Sequence, residues 1–272
     1  MVEALVNGEP SDSLPVDDRG FLYGDHLFET IAFVRGRAPL WSLHMQRLLK
    51  DAQRLLMPAP EPELLAAECA RLVGGERRAV VRLTITRGSG GRAYRPPADP
   101  APRRIVMRRP WPSGLAHARR KGIVMHTSPV RLAVGGPLVG MKHGNRLEQV
   151  LAAEHARRDG VDEAVLLDAH GRLVEAIAGN VVLIVDGEAI TPSLSAAGVA
   201  GVGMRALVER LGANLAERAI DSDVLRRAES LMVINSVAGI RPARRLDDRE
   251  LAMIEPCHRW QRLWEELFEC KE

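Results

Sequence analysis

Gly135–Leu151 reads GGPLVGMKHGNRLEQVL and holds Lys142, one of only four lysines among the chain's 38 basic residues. No residue in Val134–Met141 is charged, so glycine, proline and aliphatic groups approach the lysine and should strip water from its ammonium. Desolvation favours the neutral amine. Full burial lowers a lysine pKa by roughly 3 to 5, enough to make the group a nucleophile and a base near neutral pH. Schiff-base chemistry asks a lysine for both properties. The competing reading is an ordinary exposed lysine where a loop meets a helix.

A Schiff-base lysine suggests pyridoxal phosphate, whose phosphate needs an anion site and whose ring nitrogen needs a partner. AAGVAGVGMRALVERLG, Ala196–Gly212, places small residues just ahead of a helix, where free backbone N–H groups and the positive dipole end can hold a phosphate. The plainer alternative there is a glycine-rich turn. GVAGVG follows the polar loop TPSLS rather than an apolar strand, so it fails as a dinucleotide fingerprint. GSGGR at Gly88–Arg92 lacks the Gly-Lys-Ser/Thr of a P-loop. Arg47, in HMQRL, could grip two phosphate oxygens at once, although many helix arginines are merely solvated. Strand alternation would point Glu175, in RLVEA, to the same side as Leu173 and Ile177. A carboxylate there is expensive without a cationic partner, and the alternative is an edge-strand glutamate facing solvent. A protonated pyridine nitrogen would be such a partner, attracting by roughly 4 kcal/mol at about 4 Å and an effective dielectric near 20.

The elements that must position these groups are legible in outline. Residues 2–6, 27–34, about 81–85 and 104–109 read as strands. Ser42 reads as the N-cap of a helix through Leu56, and a second helix covers Glu63–Val73 before the Gly74-Gly75 pair. Pro110-Trp-Pro-Ser-Gly114 and the polar residues after it read as a linker between residues 1–112 and 118–272. Beyond it GIVMHTSPV reads as a strand, and Asn145 with Glu148 has the form of a capping box for a helix ending near Gly160. EAVLLD, RLVEAIAGNVVLIV and EAIT read as a β-meander, with LMVIN as a further strand and helices at about 203–212 and 256–269. The class is mixed α/β.

Composition narrows the rest. A chain of 272 residues with 46% hydrophobic residues can bury a substantial core. A net charge of +3, spread without like-charged blocks, gives nucleic-acid binding little support. Cys69, Cys257 and Cys270 show neither metal-ligand spacing nor a disulfide framework and read as reduced and structural. The start MVEALVNGEP has neither a basic run nor a long apolar one, and VVLIV is the longest aliphatic stretch, so no membrane association is expected and the cytoplasm is the expected location.

YGDHLFET (Tyr23–Thr30), HMQRL (His44–Leu48), ITRGSGGRAY (Ile85–Tyr94), SPVRL (Ser128–Leu132), KHGNRLEQVL (Lys142–Leu151) and DEAVLLD (Asp162–Asp168) stand in one order. In that order they resemble the fold-type IV pyridoxal-phosphate enzymes, the group of branched-chain and D-amino-acid aminotransferases, over nearly the whole chain. ITRGSGGRAY and KHGNRLEQVL resemble most closely the aminodeoxychorismate lyase branch. The resemblance implies a smaller N-terminal α/β domain and a larger, β-barrel-like C-terminal domain covered by helices. It implies pyridoxal phosphate as cofactor, with Lys142 as the Schiff-base lysine, Glu175 as the ring-nitrogen partner and Arg47 as a phosphate ligand. Further phosphate donors would be the backbone of Gly201 and Val202, together with Asn235 and Ser236, while Thr30 and Arg92 would face the substrate. It also implies a homodimer, a small-molecule substrate (4-amino-4-deoxychorismate) and elimination of pyruvate to give 4-aminobenzoate, with aminotransfer as the alternative reaction. The chain departs from the family pattern at His26, where a small residue is usual, at Gly144, where an aliphatic one is usual, and at Val182, where an aromatic is common. GVAGVGMR is one residue longer than the usual GVxGVMR.

Overall fold

A computed structural model describes residues 3–269, so Cys270 lies outside the described residues, as does Val2 at the start of the first expected strand. The chain forms two compact units, Met1–Trp111 with Met141–Asn145, and Pro112–Gly140 with Arg146–Glu272.

The first unit runs β1 (Ala4–Val6), β2 (Glu9–Pro10), α1 (Arg19–Tyr23), β3 (His26–Val34), α2 (Trp41–Arg54), α3 (Pro62–Val73), β4 (Arg78–Thr86) and β5 (Arg103–Arg109). Its five strands pair antiparallel in the order β2-β1-β5-β4-β3, leaving β3 at an edge. Alternation sends Leu27, Ile31 and Phe33 of β3, and Val81, Leu83 and Ile85 of β4, to one face. There Leu48 and Ala52 of α2, and Leu65 and Cys69 of α3, cover them. Ser42 is not the N-cap of α2: a turn closed by Trp41 N–H on Ala38 C=O (2.9 Å) starts the helix at Trp41, with Leu40 as cap residue. Ser42 therefore lies inside the first turn. The second helix starts one residue earlier than expected because Pro62 fits the first helical turn, where its missing N–H is not needed.

The second unit runs α4 (Leu115–Lys121), β6 (Ile123–Leu132), α5 (Leu147–Arg158), β7 (Glu163–Asp168), β8 (Leu173–Ala176), β9 (Asn180–Val185), β10 (Glu188–Pro192), α6 (Val202–Glu209), β11 (Ala216–Arg218), α7 (Ser222–Arg227), β12 (Ser230–Asn235), β13 (Gly239–Leu246), β14 (Arg249–Glu250) and α8 (Glu255–Glu269). The strand order is β11-β10-β9-β12-β13-β6-β7-β8, with β14 added on β13. β8 ends one sheet edge, yet only the turn bridged by Ala176 and Gly179 separates it from β9 near the other edge, so the sheet curls on itself. Ile123, Val165, Leu183, Leu231, Val233 and Ala243 fill it. Helices α5, α6, α7 and α8 pack on its strands. The residues after Gly114, read above as linker, form α4, whose last turn carries Arg119, Arg120 and Lys121 at the favourable negative end of the dipole. The meander is two hairpins, β7–β8 and β9–β10, because β9 takes β12 as its second neighbour rather than β8. The capping box does not form either: α5 begins at Leu147 after Arg146, and Glu148 instead accepts the Ala133 N–H at 2.9 Å. Among the described residues no helix is long and apolar enough to cross a membrane.

Just past the C-cap of α2, Leu56 sits at φ 51° with its side chain 86% exposed. A left-handed residue strains an L side chain by about 1–2 kcal/mol, and this position follows a helix end, where glycine is favoured. Leu56→Gly should therefore raise the unfolding free energy by roughly 0.5–1 kcal/mol after the entropy that glycine adds to the unfolded chain. A urea titration reads this as a higher midpoint with unchanged slope, and a lower midpoint would contradict it.

Candidate active site

Residues 141–145 join the first unit because they extend its open sheet edge. Phe28 N–H donates to Lys142 C=O (3.0 Å), Gly144 N–H donates to His26 C=O (3.0 Å), and Leu27 bridges His143. From the helix side, Asp51 Oδ2 accepts the Lys142 N–H at 3.2 Å. The lysine peptide is thus held from both sides. The Lys142 side chain lies over the Phe28 ring, with Nζ 4.5 Å from its centroid. It is half-buried, so the aliphatic neighbourhood shields it less than the sequence suggests.

Behind this strip lies a buried polar network that the sequence reading missed. Glu29 alternates with Leu27, Ile31 and Phe33 on the core face of β3, and there α2 meets it with His44 and Arg47. Arg47 Nε donates to Glu29 Oε1 at 2.8 Å and Arg47 Nη2 to Glu29 Oε2, while His44 Nδ1 stands 2.6 Å from Glu29 Oε2. Burial alone would push the Glu29 carboxyl up, but Arg47 and His44 outweigh it and hold the carboxyl at about 2. Burial, reinforced by the charges of Arg47 and Lys142, keeps the His44 imidazole below its ordinary value despite Glu29. The Glu29 carboxylate can only accept, so His44 Nδ1 carries a hydrogen and donates it. The signal was available: a carboxylate on the core side of an alternating strand is the same clue that singled out Glu175.

The opposite face of β3 and β4 carries Phe28, Thr30 and Arg82. Thr30 pairs with Arg82 across the ladder, and the Arg82 guanidinium lies over the same Phe28 ring as Lys142, 3.8 Å from its centroid. No carboxylate among the described residues pairs with Arg82. Burial and the charge of Arg109 lower its pKa. Arg92, the substrate-side candidate from the sequence, instead sits exposed in a turn closed by backbone bonds with Arg95. Two of the departures from the family pattern prove to be one. A Cβ on Gly144 would lie 2.0 Å from the His26 ring, so the imidazole fills the room that a side chain at 144 would take. Its Nδ1 lies 3.2 Å from Gly20 C=O, and burial lowers its pKa.

The second unit holds the remaining candidates. Glu175 is 4% exposed, which removes the solvent-facing alternative. It does not share a side with Leu173, because β8 carries a bulge: Leu167 pairs with Leu173 but Leu166 with Glu175, leaving Val174 extra. The bulge turns Glu175 toward the loop around Gly198, where Oε2 accepts the Val199 N–H (2.8 Å) and Oε1 takes Gln149 Nε2 (3.4 Å). Asn180 Nδ2 donates to Val199 C=O at 2.9 Å, tying the same loop to β9. Gly201 caps α6 and Val202 begins it. A Cβ on Gly203 would lie 2.7 Å from the Asn235 carbonyl carbon and 3.0 Å from Ser236 N, so only glycine lets this helix start against the end of β12. Gly201, Val202, Asn235 and Ser236 are therefore brought together, with the first-turn N–H groups of α6 beside them. The Asn235 side chain is already engaged, donating to Ala178 C=O and accepting from Val237 and Ala238 N–H. Arg47, Lys142, Thr30 and Arg92 belong to the first unit, and Glu175, Gly201, Val202, Asn235 and Ser236 to the second.

The pH dependence of Glu29 follows from its sign. A folded value near 2, below the ordinary 4.5, stabilises the fold above about pH 4.5 and is lost as pH falls toward 2. Glu29→Gln, which leaves Arg47 buried without its carboxylate, should cost about 3 kcal/mol at pH 7 and converge on the wild type near pH 2. Denaturant titrations across that range test this, and a pH-independent difference would contradict it.

The sequence profile of the amino-transferase class IV family matches residues 26–246. The aminodeoxychorismate lyase of Vibrio harveyi is 30% identical over 242 residues, covering 87% of this chain and 89% of that protein. The crystal structure of 4-amino-4-deoxychorismate lyase from Pseudomonas aeruginosa aligns with a TM-score of 0.91 at 36% identity, covering 97% of this chain and 98% of that one. Branched-chain amino acid aminotransferase from Escherichia coli aligns with a TM-score of 0.89 at 25% identity, covering 98% and 95%. Backbone similarity scarcely separates lyase from aminotransferase, whereas sequence identity does. With its profile match, its curled second sheet and its lysine strip on an open sheet edge, the chain belongs to the amino-transferase class IV family.

Proposed function

We propose that the protein is a pyridoxal-phosphate-dependent 4-amino-4-deoxychorismate lyase that releases pyruvate and 4-aminobenzoate, the latter for folate biosynthesis. The observation that carries the reading is the shared Phe28 ring, over which lie both the amine of Lys142 and the guanidinium of Arg82, the latter with no carboxylate partner among the described residues. A substrate with two carboxylates needs such cations near the reacting carbon.

The donor set fits the cofactor. A lysine amine suits its aldehyde, the buried Glu175 carboxylate suits a protonated ring nitrogen, and Arg47 with the first turn of α6 and Ser236 suits its phosphate. When bound, pyridoxal phosphate supplies an aldehyde that joins amines covalently and a ring that withdraws electrons from the neighbouring carbon. Glu175, whose carboxylate is fixed by Val199 and Gln149, would keep the ring nitrogen protonated. Glu29 holds Arg47 in a single rotamer, so the guanidinium meets an anion with little further ordering. With the cofactor bound, the Lys142 amine would serve as the base that takes the proton from the substrate's amine-bearing carbon. Loss of that proton would let the carbon–oxygen bond to the enolpyruvyl group break, its electron pair leaving on the oxygen as the ring becomes aromatic. The enolpyruvate released gains one proton at its methylene carbon, matching the one removed, and is then pyruvate. Arg82, with Arg92 as second candidate, binds the substrate carboxylates, and Thr30 lies beside Arg82 on the same face. The working form is a cytoplasmic homodimer.

Incubation with 4-amino-4-deoxychorismate and no 2-oxo acid should release pyruvate and 4-aminobenzoate in equal amounts over many turnovers. A strict requirement for a 2-oxo acid would make the protein an aminotransferase instead. Lys142→Ala should lose at least ~1000-fold in kcat. Arg82→Gln should raise KM by roughly ten-fold, the worth of one charge-assisted hydrogen bond, while leaving the fold intact.

A further inference from the structure

We propose that Asp51 is a positioning residue for Lys142: its carboxylate holds the lysine's peptide N–H and so fixes the direction in which the reactive side chain leaves the backbone. The inference rests on Lys142 being the lysine that reacts. β3 donates to the carbonyl of Lys142 and accepts from the amide of Gly144, while the Lys142 N–H donates to Asp51 on α2. The Asp51 carboxylate accepts that N–H at 3.2 Å, a side-chain acceptor presented from the helix. The lysine peptide is thereby fixed between a helix and a sheet edge within one unit.

The residue is an unfavourable choice for anything else. Asp51 is 3% exposed, on a helix face whose neighbours Leu48 and Ala52 are apolar and fully buried. Burial raises its carboxyl above the ordinary value even though the Lys142 N–H, Arg47 and Arg54 favour the charge, with Arg54 Nη1 3.6 Å away and Glu29 adding repulsion. An ionised group whose burial is not fully compensated lowers stability, so a purely structural position would favour an apolar residue. His44, Arg47 and Asp51 follow one another at spacings of three and four, which places them along one stripe of α2. The stripe that reaches Glu29 with its first two members reaches the lysine with its third.

Two substitutions of similar volume separate the hydrogen bond from packing. Asp51→Asn keeps an oxygen acceptor and removes the charge, whereas Asp51→Leu removes the acceptor. With pyridoxal phosphate bound, Asp51→Leu should lose at least ten-fold in kcat with KM within about three-fold, since a small misplacement of a reacting group is worth that much. Asp51→Asn should stay within about three-fold of the wild type in both, with a thermal midpoint at or above it. Asp51→Ala is the second acceptor-free variant and should lose kcat as Asp51→Leu does. Borohydride reduction of the holoenzyme followed by peptide mass spectrometry should place the pyridoxyl group on Lys142 in every variant. Wild-type kcat in Asp51→Leu and Asp51→Ala, or equal losses in Asp51→Asn and Asp51→Leu, overturns the role of Asp51 while leaving the lysine assignment standing. A pyridoxyl group on another lysine in the wild type overturns both.

Discussion

A carboxylate placed in the core of a small sheet-and-helix unit must be met by cations, and the way Glu29 is met sets most of the first unit's chemistry. The two-pronged grip of Arg47 and the imidazole of His44 lock α2 to β3 at one rotation and one height. With that rotation fixed, Asp51 has to face the strip that carries Lys142, because three plus four residues return it to the same stripe. Breaking the network would leave a guanidinium and a carboxylate in apolar surroundings, so the arrangement is all-or-none rather than adjustable.

The second unit solves a matching problem by irregularity. A regular strand would have sent Glu175 toward Leu173 and into the apolar interior of the curled sheet, where neither Val199 nor Gln149 could reach it. The extra residue at Val174 turns it to the other side, against the Gly198 loop. Asn180 secures that loop from β9, so the carboxylate, the loop and the start of α6 form one hydrogen-bonded body. The close approach of Gly203 to the end of β12 brings two stretches distant in sequence, Gly201–Val202 and Asn235–Ser236, to one place.

Lys142 and Glu175 stand out in the sequence because each is an odd residue type for its surroundings, a lysine among arginines and a carboxylate in an aliphatic strand, whereas Arg47 is one arginine among many and stands out only for the chemistry a guanidinium can offer a phosphate. The helices and most strands were legible from periodicity. Caps were not, since Ser42 and Asn145 have the right side chains for caps but lie where turns and neighbouring residues, not side-chain caps, decide the helix start. Arg82 was passed over because its alternation with Val81 and Leu83 is what any half-exposed strand shows. Only the ladder register, which sets it beside Thr30, and the ring of Phe28 distinguish it from a solvated arginine. His26 and Gly144 looked like two separate departures for the same reason: a size exchange between residues more than a hundred positions apart becomes visible only when they touch.

The ITRGSGGRAY motif, which drew the comparison toward the lyase branch, does its work on the fold. Arg87 donates to both oxygens of Asp25 and to the carbonyls of Leu55 and Leu56, fastening β4 to the start of β3 and to the end of α2. Gly88 sits at φ 87° with the Ala101 carbonyl oxygen 2.1 Å from where a Cβ would stand, so no other residue fits that turn. A run of sequence can therefore mark a functional branch in large part by holding fixed the elements that carry the chemistry. In this chain those elements are β3, which bears Glu29 and Phe28, and α2, which bears Arg47 and Asp51. Arg82, proposed above for the substrate, stands outside that motif, five residues before Arg87, and pairs with no carboxylate among the described residues, whereas Arg87 pairs with Asp25.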